Sequence, residues 1–229
     1  MNQQTTNNTV TTGNDEAVNA ELLVSQPPNV VFNDDCMNIM AQYSDKFFEL
    51  AVVDSPYGVG DFQQSDGNYK PVIWNNEIPS GNYFQELLRV SKHQIVWGAN
   101  YYNCFSATGG AIVWDKLNVH PSMSRCEIAS CSMQKRITYF NYEWHGYVVK
   151  RIEPGSFHPC QKPVALYDWI FMNYAKKGDK ILDTHLGSGS SRIAAWKAGL
   201  EFYGCELDKD YYEKQEDRFK KFVSQLTLF

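Results

Sequence analysis

Two short stretches bring together residue types able to do chemistry. The first, Leu50-Ala51-Val52-Val53-Asp54-Ser55-Pro56-Tyr57, is an apolar run that reads as a buried strand and ends in a carboxylate, a hydroxyl, a proline and an aromatic ring. The second runs from Lys180 through Ile181 and Leu182 to Asp183, then Thr184-His185-Leu186-Gly187-Ser188-Gly189, and passes into a helical pattern. Gly187 and Gly189 permit a tight turn and close backbone approach, and the helix that follows offers free N–H groups and a positive dipole end to an anionic group. Such a turn alone fits nicotinamide or nucleotide binding as well as a plain tight loop. The apolar run 201–205 leads into Glu206, about twenty residues past the glycine turn, where a carboxylate can accept hydrogen bonds from both hydroxyls of a ribose. Glu206 can equally cap the helix that starts near Asp208. Read by itself, Asp54 to Tyr57 is also compatible with an Asx-type turn in which Pro56 is punctuation and Tyr57 a core ring.

Both stretches need a scaffold that sets strand ends side by side. The pattern predicts strands near 30–33, 49–53, 94–98, 111–115, 126–132, 180–183 and 201–205, with helices near 36–43, 81–91, 163–175, 190–198 and 208–222. Short apolar runs alternating with helical patterns imply an α/β fold with a seven-stranded, mostly parallel sheet covered on both faces. The last helix carries Asp210/Lys214, Glu216/Lys220 and Asp217/Lys221 at i,i+4, which suits a solvated face. Segments 58–80 and 133–162 are long for connections and read as functional loops, with an extra strand expected near 136–140.

Residues 1–29 are rich in Asn, Gln and Thr, end near Pro27-Pro28 and read as a disordered polar tail, leaving 30–229 as one domain. The net charge of −5 excludes a uniformly basic surface, and Asp15, Glu16 and Glu21 of the tail account for part of it. No run of about 18 apolar residues and no secretory leader is visible, so a cytoplasmic protein without a membrane partner is expected. The six cysteines form no CxxC pair and have no zinc-type spacing to the histidines, so no metal is expected.

Asp54-Ser55-Pro56-Tyr57 resembles the Asp-Pro-Pro-Tyr signature of amino-methyltransferases, and Asp183 to Gly189 resembles their Asp-x-Phe-x-Gly-x-Gly cofactor motif. Asp35-Cys36-Met37 is similar to the Gly-Asp-Cys start of such enzymes, and His158-Pro159-Cys160-Gln161-Lys162-Pro163 to their His-Pro-Thr-Gln-Lys-Pro segment. With the catalytic motif first and the cofactor motif last, the order resembles the circularly permuted beta group of DNA amino-methyltransferases. The resemblance implies a Rossmann-like fold that uses S-adenosyl-L-methionine, with six parallel strands and one antiparallel. It further implies that Asp183, His185, Gly187, Ser188 and Gly189 surround the methionine part, and that Glu206 holds the ribose. Asp35 and Cys36 approach the adenine, and Gln161 and Lys162 the methionine end. Asp35 can also simply cap the helix at Cys36. Three positions depart from the pattern: Ser55 for the first proline, His185 for phenylalanine and Cys160 for threonine.

The chemistry fits the residue types. A base amino group is a poor nucleophile because its lone pair is delocalised into the ring. The Asp54 carboxylate and the Ser55 carbonyl can accept its two hydrogens and direct the emerging lone pair at an electrophilic methyl carbon, while Tyr57 stacks on the base. Reaching that group in duplex DNA means flipping the nucleotide out, at a cost of about a few kcal/mol, against about 1 to 3 kcal/mol recovered by stacking. Lys135, Arg136, Lys150 and Arg151, interleaved with Tyr139, Phe140, Tyr142, Trp144 and Tyr147, mark 133–162 as a small target-recognition insertion that contacts DNA, or as an extra hairpin packed by its own rings. The loop from Gly58 to Lys70 is a second candidate for covering the flipped base. Adenine N6 is the expected target, with cytosine N4, RNA, a protein glutamine amide or an inactive binding subunit as alternatives. A bacterial or phage setting follows from the resemblance; a homodimer is allowed, and the residues do not reveal whether a restriction partner exists.

Overall fold

The structure, a computed structural model, describes residues 27–60, 76–118, 124–145, 151–153 and 156–226. The polar segment up to residue 26, most of the loop expected to cover the base (61–70), and Lys150 lie outside the described residues. In chain order the strands are β1 (Asn29–Phe32), β2 (Phe48–Val53), β3 (Ser91–Trp97), β4 (Ala111–Asp115), β5 (Cys126–Cys131), β6 (Ile137–Asn141), β7 (Lys180–Asp183) and β8 (Glu201–Cys205). The helices are α1 (Cys36–Met40), α2 (Gly81–Val90), α3 (Ala99–Tyr102), α4 (Val164–Tyr174), α5 (Ser190–Lys197) and α6 (Lys209–Leu226). Asn29, placed in the tail by composition, is the first residue of β1, and the Pro28 carbonyl before it already accepts from the Phe202 N–H.

The strands form one mixed sheet in the order β1-β8-β7-β2-β3-β5-β4-β6. Every neighbouring pair is parallel except those involving β5, which runs against both β3 and β4. Eight strands stand where seven were counted. The additional one is β6, the strand expected near 136–140, which pairs in parallel with β4 at the sheet edge. Alternation along β2 explains the layering. Leu50 and Val52 join Ile95, Trp97, Ile112 and Trp114 under α4 and α5, whereas Ala51 and Val53 face Met40 of α1 and Tyr83, Leu87 and Val90 of α2. The outer helix α6 is held to α5 by an edge-on Trp196–Phe222 contact and by Arg192, which reaches Gln215 and Glu216. No helix among the described residues is long and apolar enough to cross a membrane.

Tyr147 lies outside the described residues, and the described rings of 139–144 divide between two roles. Phe140 and Tyr142 pack on the core, Trp144 is buried and donates its indole N–H to the Gln161 carbonyl, and Tyr139 is 57% exposed. Most of these rings therefore do what an extra strand requires, which is to cover the sheet edge.

The turn into β6 is tightly seated. A Cβ built on Gly110 would fall 2.1 Å from the Gln134 carbonyl oxygen and 2.3 Å from that of Cys131, and neither backbone atom can swing aside. Gly110→Ala is expected to lower the unfolding free energy by about 1 to 3 kcal/mol. Urea denaturation measures the loss, and hydrogen exchange should rise first at the amides of 137–141. A variant as stable as the parent would show that this turn does not rest on residue 110.

Candidate active site

Parallel strands that share a direction deliver their C-terminal turns to one edge of the sheet, where α/β proteins place their crevices. Here the turns after β1, β8, β7, β2 and β3 lie next to one another. The Glu206 N–H donates to the Phe32 carbonyl, Asn33 Nδ2 donates to the Glu206 carbonyl, and the Leu186 N–H donates to the Cys205 carbonyl. Because β2 and β7 are direct neighbours, with Leu50 opposite Ile181 and Ala51 opposite Leu182, the stretches that begin with Asp54 and Asp183 share the centre of that edge.

One half of the site is built around Asp54. Its Oδ2 accepts from Lys162 Nζ at 2.5 Å and its Oδ1 from the Tyr57 hydroxyl at 2.6 Å. Lys162 also lies 3.0 Å from Glu127 Oε2, and Glu127 Oε1 accepts from Lys116 at 3.1 Å. Two carboxylates and two ammonium groups thus alternate through a largely buried pocket. Burial alone would push Lys162 down, but Asp54 and Glu127 outweigh it and hold the ammonium above its ordinary value. Burial would likewise raise Glu127, yet Lys162 and Lys116 bring it down to about 2. Asp54 goes the other way: desolvation, aided by Glu127, prevails over Lys162, so it is the carboxylate of the cluster that takes a proton most readily.

Tyr57 lies against Gly98, whose φ of 76° begins α3 and whose missing Cβ would stand 2.4 Å from the ring. Two tyrosines of α3 complete this face. Tyr101, 42% exposed, stacks on Tyr57 with ring centroids 5.0 Å apart and planes 16° from parallel. The Tyr102 hydroxyl donates to the carbonyls of Ser55 at 2.5 Å and Pro56 at 2.9 Å.

In the other half, Asp183 is buried and accepts from Ser191 Oγ at 2.5 Å and from the His185 N–H at 3.1 Å. Burial pushes it up to about 7. Gly187 and Gly189 have φ of 54° and 75°, conformations that favour glycine, and Gly189 is the residue from which α5 starts. The His158 ring lies over Gly187, 3.2 Å from where a Cβ would be, and desolvation pushes it down to about 3. Ser188 is buried, and its carbonyl accepts from Arg218. Glu206 accepts from the Gly187 N–H at 2.8 Å and from the Asp208 N–H at 2.9 Å, so it fastens the glycine turn and the approach to α6 at once.

The remaining expected residues separate. Asp35 caps α1 by accepting from the Met37 N–H at 2.8 Å, beside the Glu206 turn, and burial raises the half-buried Cys36 thiol to about 12. Gln161 Nε2 donates to Glu153, while its Oε1 is a buried acceptor with no partner among the described residues. Lys162, expected near the methionine end by resemblance, has its ammonium on Asp54 and Glu127. Lys135 and Arg136 are exposed, but they sit in the turn between antiparallel β5 and the start of β6, at the edge opposite the strand ends that carry Asp54. The structure therefore does not bring them together with Asp54. Arg151 is exposed. Glu127, Lys116, Tyr83, Tyr101 and Tyr102 were not anticipated. Glu127 did leave a signal, a lone carboxylate inside an apolar strand, and so did Gly98, a glycine directly after β3. Among the described residues no His, Cys, Asp and Glu group is arranged to hold a metal ion.

A family model described as DNA methylase, of N6 and N4 type, matches residues 97–217, just over half the chain. The type II methyltransferase M2.DpnII of Streptococcus pneumoniae is 29% identical over 134 aligned positions, covering 48% of this chain and 50% of that protein. M2.MboI of Moraxella bovis is 23% identical over 252 aligned positions, covering 86% of this chain and 89% of that one. The chain spans about half the length of M2.DpnII and of M2.LlaDCHI from Lactococcus lactis subsp. cremoris. Among solved structures, the M1.HpyAVI complex with SAM shares the fold at a TM-score of 0.55 and 17% identity, over 82% of this chain and 98% of that one. The PvuII DNA methyltransferase, described as cytosine-N4-specific, does so at 0.57 and 10%, over 85% and 87%.

Removing Lys162 takes the only ammonium among the described residues away from Asp54 and leaves Glu127 with Lys116 alone. Lys162→Met is expected to cost about 3 to 5 kcal/mol of stability at neutral pH, well beyond a surface substitution. Equilibrium unfolding in urea checks this, and a loss below about 1 kcal/mol would mean that the cluster is hydrated and Lys162 dispensable.

Proposed function

Starting from the chain's membership of the DNA methylase family, shown by the match over 97–217, we propose that it transfers a methyl group from S-adenosyl-L-methionine to the N6 amino group of an adenine flipped out of DNA. The observation that carries this reading is the juxtaposition of the Asp54 turn and the Asp183–Gly189 turn on neighbouring strands, which makes one crevice of a base-sized aromatic face and a glycine-lined one. DNA is the partner in this reading, and a bacterial or phage-infected cytoplasm the setting. Asp54 at the head of the motif, where enzymes acting on cytosine N4 more often have serine, favours adenine.

The residues fit the cofactor. Asp183 is a buried carboxylate without a cationic partner among the described residues, and Gln161 Oε1 is a buried acceptor without a donor, a pair suited to a positively charged ligand. The positive φ of Gly187 and Gly189 shapes the turn that would face it, and the remaining lone pairs of Glu206 are available to ribose hydroxyls. When bound, S-adenosyl-L-methionine supplies a methyl carbon made electrophilic by its sulfonium. The protein contributes orientation and acceptors. Each Asp54 oxygen already accepts one hydrogen bond and keeps capacity for another, so the carboxylate can take an amino hydrogen while Lys162 fixes its plane. The Ser55 carbonyl takes the second hydrogen and is held in place by Tyr102. Burial raises Asp54, which prepares its carboxylate to hold the proton that the nitrogen sheds. Tyr57, backed by Tyr101, offers the base a ring to stack on.

Incubation with S-adenosyl-L-methionine and unmethylated DNA, followed by nucleoside mass spectrometry, tests the proposal. N6-methyladenine is expected, with a loss of at least about a hundredfold in Asp54→Ala. N4-methylcytosine would overturn the choice of base, and no modified nucleoside from a protein that binds the cofactor would overturn DNA as substrate.

Cofactor binding should depend on pH with a definite sign. Asp183 is held at about 7 in the free protein, and a bound cation draws it down, so binding below pH 7 requires loss of a proton. The Kd is therefore expected to fall as pH rises, by about tenfold between pH 5.5 and 7.5, when measured by isothermal titration calorimetry. Asp183→Asn should bind weakly and lack this slope; a slope that survives the substitution would assign it to another group.

A further inference from the structure

Two of the positions at which this chain departs from the resembled motifs, Ser55 and His185, are 130 residues apart in sequence and in direct contact in the fold. Ser55 Oγ lies 3.1 Å from His185 Nδ1. The contact is one side of a closed ring of four polar atoms. Ser55 Oγ is 3.0 Å from the Tyr83 hydroxyl, that hydroxyl is 2.6 Å from Thr184 Oγ1, and Thr184 Oγ1 is 2.9 Å from His185 Nδ1. Ser55, Tyr83 and Thr184 are each less than 5% exposed, so the ring is shielded from bulk water. Desolvation pushes His185 down to about 4, which leaves the imidazole neutral near pH 7. A neutral ring nitrogen and three hydroxyls can share these four contacts without burying a charge.

We propose that His185 is a positioning residue that acts through Ser55, and that this polar ring locks the Asp54 turn to the glycine turn, rigidity that a proline at 55 would otherwise supply through its own backbone. The ring spans three elements: the turn after β2, the turn after β7, and α2, which contributes Tyr83. Orientation of the Ser55 carbonyl then depends on a side chain from the cofactor turn, and the shape of the cofactor turn depends on a hydroxyl from the catalytic turn. A proline at 55 has no hydroxyl and leaves Nδ1 without that partner; a phenylalanine at 185 leaves the Ser55 hydroxyl short of one. Each departure from the motif is compatible with the other and not with its absence. This inference rests on the methyltransferase reading for its consequence in catalysis, but the coupling itself can be read in cofactor binding.

The test is a mutant cycle with two readouts: calorimetric binding of S-adenosyl-L-methionine, and kcat and KM for DNA. Ser55→Ala, although outside the glycine motif, is expected to weaken cofactor binding about fivefold and lower kcat about tenfold while KM for DNA changes less than twofold. His185→Phe is expected to lower kcat to a similar extent, and His185→Asn, which keeps a polar atom near the position of Nδ1, to recover most of it. The Ser55→Ala/His185→Phe double variant should be no worse than the more impaired single variant, and Ser55→Pro/His185→Phe should return to within about threefold of the parent. Single effects that multiply in both double variants would overturn the proposal. Should the parent bind the cofactor and methylate no DNA, the methyltransferase reading would fail, while the binding half of the cycle would still decide the coupling. Should Ser55→Pro fail to fold, the alanine cycle and His185→Asn decide it.

Discussion

Asp54 and Glu127 come from strands on opposite sides of β3 and point into one pocket, and two carboxylates cannot stay there together without a cation between them. Lys162 is that cation, and its reach fixes more of the architecture than any single apolar contact. It is carried by the segment just before α4, so meeting Asp54 and Glu127 seats that segment over the strand ends. The same segment sets His158 on Gly187, brings the Gln161 carbonyl to Trp144 and places Val164 at the start of α4. Substituting a neutral group between the carboxylates would leave Asp54 facing Glu127 with only Lys116, on the far oxygen of Glu127, to offset the two charges.

What the sequence revealed and what it hid divide along a physical line. Strands β2, β7 and β8 were legible because each is an apolar run that ends abruptly in an acid or a glycine, and the buried centre of a parallel sheet imposes that signature. The edge of the sheet imposes less. Strand β6 has one face on α4 and one in solvent, so Ile137 and Tyr139 could stand exposed, and its aromatic and basic residues resembled a nucleic-acid surface. Periodicity records which side chains are covered, not by what, so it could not tell a ring packed on a helix from a ring awaiting a base.

Within the site, residues that belong to a local motif were found and those that arrive from elsewhere were not. Asp54, Asp183, the glycines and Glu206 each sit in a short pattern. Lys116, Glu127, Tyr83 and Tyr102 reach the same pocket from separate elements, and only the order of strands puts them there. Lys162 shows the converse: its motif was recognised, but its ammonium serves a neighbour that the motif does not contain. A four-residue helix such as α3 is too short to display a period, and its two tyrosines could be valued only once Gly98 had turned them toward Tyr57.

The strand order also has a consequence for synthesis. Strand β1 pairs with β8 and β2 with β7, so two strands made early take partners made more than a hundred residues later. At roughly 5 to 20 residues per second, β2 waits on the order of ten seconds for its neighbour. During that interval one edge of β2, rich in Leu, Val and Ala, has no hydrogen-bonding partner, although β3 can already cover the other. A nascent chain of this topology must grow well past β2 before it can close its sheet, and β2, whose turn carries Asp54, is left with an open edge to other chains and to chaperones for that time.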